Sequence, residues 1–173
     1  MLFTIGMPPD AARTALRQLA ATLAYRAAKV LRDVPDSFPQ QTFGASTRPP
    51  VRIVAHMADL MAWGVSMANG GREWKAEGSE DWDKEVARFF DRLAALDAAL
   101  AAEGPFAGSI DKIIQGPLAD ALTHVGQLAM LRGMAGAPVR PESYARAKIE
   151  AGRVGRDQPP PGFEFDGDAS QRK

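Results

Sequence analysis

The chain has 173 residues, with 21 basic and 21 acidic side chains and no cysteine. This length fits one domain with a full hydrophobic core. A formal net charge of zero disfavours nucleic acid and anionic membranes as partners, and the lack of cysteine excludes disulfides, thiolate metal ligands and a cysteine nucleophile.

The N-terminal segment lacks the basic leader and apolar stretch of a signal peptide. No apolar run reaches the ~20 residues that a membrane-spanning helix needs. We therefore expect a cytoplasmic protein that binds neither membrane nor nucleic acid.

Apolar residues at three- and four-residue steps predict a long first helix over residues 11–31. They are Leu16, Leu19, Leu23, Ala27, Val30 and Leu31. Prolines among polar residues then predict a long connection over 33–50, because proline lacks the amide that a continuing helix needs. The second helix is predicted over 51–67, with Ser46 or Thr47 as its cap.

Acidic residues at positions 79–83 predict the start of a third helix, because carboxylates favour the positive end of the helix dipole. Its apolar stripe continues to Leu100, and Gly104-Pro105 ends it. A fourth helix is predicted from a cap at Ser109 to Met134, with a bend or restart at Gly116-Pro117.

Four long helical patterns without alternating strand patterns predict an all-α protein, an antiparallel four-helix bundle over residues 1–140. Residues 141–173 are predicted to form a C-terminal extension, with a short helix over 142–151 and an irregular tail whose end, 166–173, is disordered. Apolar residues left over on helix faces predict a homodimer. They include Phe89, Phe90 and Met130.

The only two histidines, His56 and His124, lie in apolar helical segments. Asp120 precedes His124 by four residues, so the carboxylate and the imidazole share one helix face, and Gln127 on that face is expected to orient His124. If His56 faces them from the second helix, the three side chains form a two-histidine, one-carboxylate set. Such a set holds a divalent metal and leaves coordination positions open.

The alternative is that each histidine is a neutral, hydrogen-bonded core residue and that Asp120 is only its partner. A carboxylate among the apolar residues of the fourth helix is costly to bury unless it is paired or coordinated, which favours the metal. Asp59 either orients the His56 ring or is a solvated charge. Arg132 either receives a substrate carboxylate or, more often, pairs with a local acid. The tryptophans, more often bundle core than pocket lining, are Trp63, Trp74 and Trp82.

Two stretches of the sequence resemble the DinB-like superfamily. One is Ala55-His56-Met-Ala-Asp-Leu-Met-Ala-Trp63, and the other runs from Gly116 to Pro138 and contains His-Val-Gly-Gln followed by Leu-Arg and Gly-x-Pro. The resemblance covers roughly residues 10 to 140. It implies an antiparallel four-helix bundle of the up-down-down-up type, with a metal held by one histidine of the second helix and two residues of the fourth.

The metal ligands that this resemblance implies are His56, Asp120 and His124. Many members of the family carry His-x-x-x-His on the last helix, where this chain has Asp120. A carboxylate oxygen is a workable donor for Zn²⁺ or Ni²⁺, the metals we expect first, and for Mn²⁺ or Fe²⁺ as alternatives. The aspartate changes the metal preference and the charge of the site relative to three-histidine members.

The sequence thus predicts a metal-dependent enzyme in which the cation activates water or an external small thiol. The resemblance implies a low-molecular-weight-thiol S-transferase that acts on a small-molecule substrate, with a hydrolase as the nearest variant. The alternative is a non-catalytic ligand-binding or dimerising bundle of a stress response, with a structural metal or none. Neither a serine nucleophile elbow nor a phosphate-binding loop is indicated.

Overall fold

A computed structural model describes residues 9–165, whose regular structure is helical apart from one isolated antiparallel bridge between Glu142 and Glu164. Two predictions concern residues outside the described range. The prediction that the N-terminus carries no signal peptide concerns a segment that begins before residue 9, and the predicted disorder concerns residues 166–173. Among the described residues, no helix is both long enough and apolar enough to cross a membrane.

Four helical stretches form the body of the fold, as the sequence predicts. Three of them are single helices: α1 (Pro9–Leu31), α2 (Pro50–Ala68) and α3 (Trp82–Ala101). The fourth comprises α4 (Ile110–Ile113), a π-helical turn (Ile114–Leu118) and α5 (Ala119–Met134). The interruption predicted at Gly116-Pro117 is confirmed, because Pro117 lies inside the π-helical turn.

Helices α2 and α3 begin for different local reasons. Asp81 caps α3 by accepting a hydrogen bond from the Lys84 amide at 3.1 Å, as the acidic cluster predicts. The cap predicted at Ser46 or Thr47 is wrong, because α2 begins at Pro50 after an extended Pro49. Two prolines at this end leave fewer amides that need a cap.

The core lies between the four helical stretches. Helix α2 packs most extensively against α3, while α1 contacts both α3 and α5. The largest fully buried side chains include Leu16, Leu23, Met57, Met61, Phe89, Leu93, Leu96 and Leu128. The all-α bundle prediction is therefore confirmed at this level.

Burial changes the basis of the homodimer prediction. Phe89 and Phe90 are core residues, so they cannot form an exposed face, whereas Met130 on α5 is 62% exposed. The homodimer stays a prediction that now rests on the exposed side of α5.

The short helix predicted over 142–151 is wrong, because this segment forms turns and extended chain. The Ser143 amide donates to the Phe163 carbonyl at 3.1 Å, which pairs the segment with the end of the described chain. The buried Glu142 carboxylate accepts hydrogen bonds from the Tyr25 hydroxyl at 2.8 Å and from Lys29 Nζ at 2.9 Å. These contacts with α1 override the local helical pattern.

Candidate metal centre

The structure brings together the three predicted ligands, one from α2 and two from α5. His56, Asp120 and His124 each offer a donor atom, and these atoms all lie within 4.8 Å of one another. His56 and His124 are edge to face, with ring centroids 5.0 Å apart. The one-turn spacing that the sequence predicts places Asp120 and His124 on the same face of α5.

The distances from Asp120 to the two histidines, each measured from a different carboxylate oxygen, are close to the separations between ligands of one metal. Asp120 Oδ1 lies 3.4 Å from His124 Nε2, and Asp120 Oδ2 lies 3.6 Å from His56 Nε2. Two donors each about 2.1 Å from a tetrahedral metal lie about 3.4 Å apart. The usual N–H···O hydrogen bond spans about 2.7–3.2 Å, so the carboxylate stands further from both rings than direct hydrogen bonding requires.

Gln127 contacts the far side of the His124 ring, as the sequence predicts. His124 Nδ1 and Gln127 Oε1 are 2.7 Å apart. An amide oxygen only accepts hydrogen bonds, so this contact favours the tautomer with the proton on Nδ1. His124 Nε2 then presents its lone pair toward Asp120, as a metal ligand must.

His56 contacts the rings of His124 and Trp74. The Trp74 ring is 5.6 Å from the His56 ring, and Trp63 is 5.8 Å from Trp74, all between centroids. Burial lowers the pKa of His56, the nearby His124 lowers it further, and Asp120 opposes both effects. The shift favours the neutral imidazole, which is the form that binds a metal.

The three tryptophans divide between the site and the core. Trp74, which is 45% exposed, contacts His56, whereas Trp63 is partly buried and packs against both Trp74 and the core. Trp82 instead packs against Phe38, with centroids 6.0 Å apart. The core interpretation of the tryptophans therefore holds for Trp82 and is wrong for Trp74.

The π-helical turn directly before Asp120 gives Trp63 its space. A Cβ atom added at Gly116 would lie 3.1 Å from Trp63 Cζ3. Pro117 lacks an amide hydrogen, so a regular α-helical ladder cannot run through this turn. The wider turn resets the register of the helical stretch just before α5 presents Asp120 and His124.

Asp120 and Asp59 both differ from the sequence-based expectation. The Asp120 side chain is 46% exposed rather than buried among apolar residues. Asp59 is buried, but it accepts hydrogen bonds from Arg88 Nη1 at 2.6 Å and from the Glu77 amide at 3.2 Å. It neither orients the His56 ring nor is a solvated charge.

Arg88 of α3 joins several elements around this side of the site. Besides Asp59, it contacts the fully buried Glu85 and donates to the carbonyl of Ala55, the residue before His56. Glu85 in turn accepts hydrogen bonds from the amide and hydroxyl of Ser79. This Arg88 network thereby fastens the segment after α2, which carries Trp74, to α2 and α3.

Arg132 is not placed to receive a substrate. It is buried, and its guanidinium donates to the carbonyl oxygens of Val30, Arg32, Asp33 and Ala137. Both sequence-based interpretations, a substrate carboxylate and a local acid, are wrong, because backbone carbonyls at the end of α1 fill its donors.

A cavity of about 450 Å³ opens beside the candidate ligands. Residues 46–48 of the connection before α2 form one wall, and Gln127, Met130 and Leu131 of α5 form another, with both histidines between. Sequence reasoning missed Arg48 in this wall. Its only signal was a cation just before the proline pair that starts the helix carrying His56.

Comparisons of the chain with models of known protein families, with curated proteins and with solved structures find no match. The assignment to the DinB-like superfamily stays a prediction, which rests on the motifs around His56 and His124.

Proposed function

We propose that the chain is a DinB-like, metal-dependent enzyme whose divalent ion is held by His56, Asp120 and His124. The observation that carries the proposal is the convergence of three donor atoms within 4.8 Å at the edge of a cavity. Three protein ligands leave a coordination position for a reactant, as catalytic rather than structural sites do. The antiparallel up-down-down-up order of the helices is part of the same proposal.

Each residue of the site has a defined part in the proposal. Gln127 orients His124, because the 2.7 Å contact fixes the ring and leaves Nε2 free. Trp74 packs against the edge of His56 and limits the rotation of that ring. Asp120 presents one oxygen to each histidine and supplies the negative charge that a cation requires.

A divalent ion bound by these residues lowers the pKa of a coordinated water or thiol and so supplies a nucleophile at neutral pH. This chemistry suits a chain without cysteine. We propose S-transfer from a low-molecular-weight thiol to a small electrophile as the reaction, with hydrolysis as the variant that needs no thiol. The cavity of about 450 Å³ falls in the range of small-molecule sites.

Elemental analysis of protein purified without a metal-affinity tag tests the metal. We expect about one Zn²⁺ or Ni²⁺ per chain in the wild type, because the three donors form a single site for one ion. His124→Ala should lose most of it, while Asp91→Ala, which removes an exposed acid of α3, should keep it. Equal metal in wild type and His124→Ala, or none in either, contradicts the proposal.

The reaction is tested with metal-loaded protein, 2-mercaptoethanol and 1-chloro-2,4-dinitrobenzene as the electrophile. We expect consumption of the electrophile that depends on both the thiol and the metal and disappears in Asp120→Ala. Turnover of 4-nitrophenyl acetate without thiol would instead indicate the hydrolase. Metal content without either activity would support the non-catalytic bundle.

A further inference from the structure

The cavity beside the candidate ligands has an uneven distribution of charge. Among the described residues, it is lined by one cationic side chain, Arg48, and by no carboxylate. Asp120 stands next to it and contributes one negative charge, and both histidines are neutral as ligands. With a divalent ion bound, the formal charge around the cavity is therefore positive.

Arg48 is an unpaired cation in the described part of the chain. The next arginine, Arg52, pairs with Glu80 at 2.6 Å. Arg48 has no ion pair of this kind among residues 9–165, and it lines the same cavity as His56 and His124. A guanidinium that faces a cavity without an acidic partner has donors available for a ligand.

The wall around Arg48 suits a carboxylate. Ser46 and Thr47 precede Arg48 along the same wall, and the Thr47 hydroxyl is held by the Gly44 carbonyl at 2.9 Å. A guanidinium presents parallel N–H donors that match the two oxygens of a carboxylate. The cavity volume of about 450 Å³ falls in the range of small-molecule sites.

We propose that Arg48 selects small carboxylate-bearing substrates, which it holds by the carboxylate while their reacting end points toward His56, Asp120 and His124. This inference rests on the proposed function, because the second anchor of the substrate is the metal. Arg48 is thus a specificity-determining residue of the reaction, and neutral analogues of the same length are the substrates it disfavours.

The test uses full-length protein loaded with Co²⁺ and two thiols of equal length, 3-mercaptopropionate and 3-mercapto-1-propanol. Binding is followed by the visible absorption of Co²⁺ and by calorimetry. We expect the wild type to bind the carboxylate at least about tenfold more tightly, as one charge-assisted hydrogen bond allows. Arg48→Gln should reduce this preference to less than about twofold without loss of Co²⁺.

Arg52→Gln is the matched control, since it removes a nearby exposed arginine outside the cavity lining, and it should keep the preference of the wild type. Arg48→Lys should retain part of the preference for the carboxylate, because the positive charge remains while the paired N–H donors of the guanidinium are lost. A wild type that binds Co²⁺ but not the carboxylate preferentially, or an unchanged preference in Arg48→Gln, overturns this inference alone. Failure of the wild type to bind Co²⁺ overturns the proposed function as well.

Discussion

Removal of Arg88 should destabilise the fold far more than removal of an exposed arginine of the same helix. Its guanidinium lies between two buried carboxylates, Asp59 at 2.6 Å and Glu85 at 2.6 Å. Arg88→Met keeps most of the side-chain volume but leaves both acids without their cation. Breaking a buried pair in this way costs about 3–5 kcal/mol. For a chain of this length that loss lowers the Tm by about 10 °C.

The pH dependence of this loss follows from Glu85. Burial raises the pKa of Glu85, but hydrogen bonds from Ser79 and Arg88 outweigh burial and hold the pKa below its ordinary value. A carboxyl with a lowered folded-state pKa stabilises the fold above its unfolded pKa of about 4.3, and this contribution is lost as the pH falls through the folded-state pKa. Without Arg88 the folded-state pKa of Glu85 rises. The difference in the free energy of unfolding between wild type and Arg88→Met is therefore largest at pH 7 and becomes smaller toward pH 4.5.

Urea unfolding of wild type, Arg88→Met and the control Arg92→Met, at pH 7 and at pH 4.5, measures both effects. Arg92 is exposed on α3, so its substitution should change stability by less than about 0.5 kcal/mol. Tryptophan fluorescence should also change in Arg88→Met, because Asp59 and Glu85, to which the segment carrying Trp74 is hydrogen-bonded, lose the cation that holds them in place. A loss below about 1 kcal/mol at pH 7, or a deficit that stays constant with pH, would refute the reasoning.

Three further substitutions test the surroundings of the site. Gln127→Leu should weaken Zn²⁺ binding about 10- to 100-fold, measured by competition with a chelator. Gln115→Leu, at an exposed position of the π-helical turn, should not. Equal affinities of Gln127→Leu and wild type would show that the 2.7 Å contact with His124 is not used. Gly126→Ala should stabilise the fold by about 0.5–1 kcal/mol in urea unfolding, because nothing lies within 4 Å of the added methyl group in the middle of α5. Gly116→Ala should not increase the stability of the fold, because the added Cβ lies 3.1 Å from Trp63 and overpacking costs about 1–3 kcal/mol. A gain in stability equal to that of Gly126→Ala would contradict this contact.

The parts of the site that sequence analysis predicted are those that a single helix determines. Asp120, His124 and Gln127 are separated by four and three residues, and helical geometry alone puts them on one face. His56 could be added only with a bundle topology, which the resemblance supplied. The 3.6 Å distance between His56 Nε2 and Asp120 Oδ2 depends on how α2 packs against α5, and no spacing in the sequence encodes that packing.

The predictions that failed concern partners far away along the chain. Arg132 donates to carbonyls 99 to 102 residues earlier, and the partner of Asp59 lies 29 residues later. Glu142 contacts residues of α1 more than 110 positions away. A helical pattern shows which face is apolar, but it does not show which polar group of the opposing element lies against that face. The roles of these buried polar side chains could therefore not be assigned from the sequence alone.

Asp120 differs from the buried acids of the fold in its exposure and in its partners. In the described part of the chain, every buried acid pairs with a basic side chain: Asp59 and Glu85 with Arg88, Asp97 with Arg17, and Glu142 with Lys29. Asp120 is 46% exposed, so water already solvates its charge and the stability of the fold does not require two imidazoles beside it. A cation between the three side chains would compensate the carboxylate and use both ring nitrogens. This contrast supports the proposal that a cation binds between His56, Asp120 and His124.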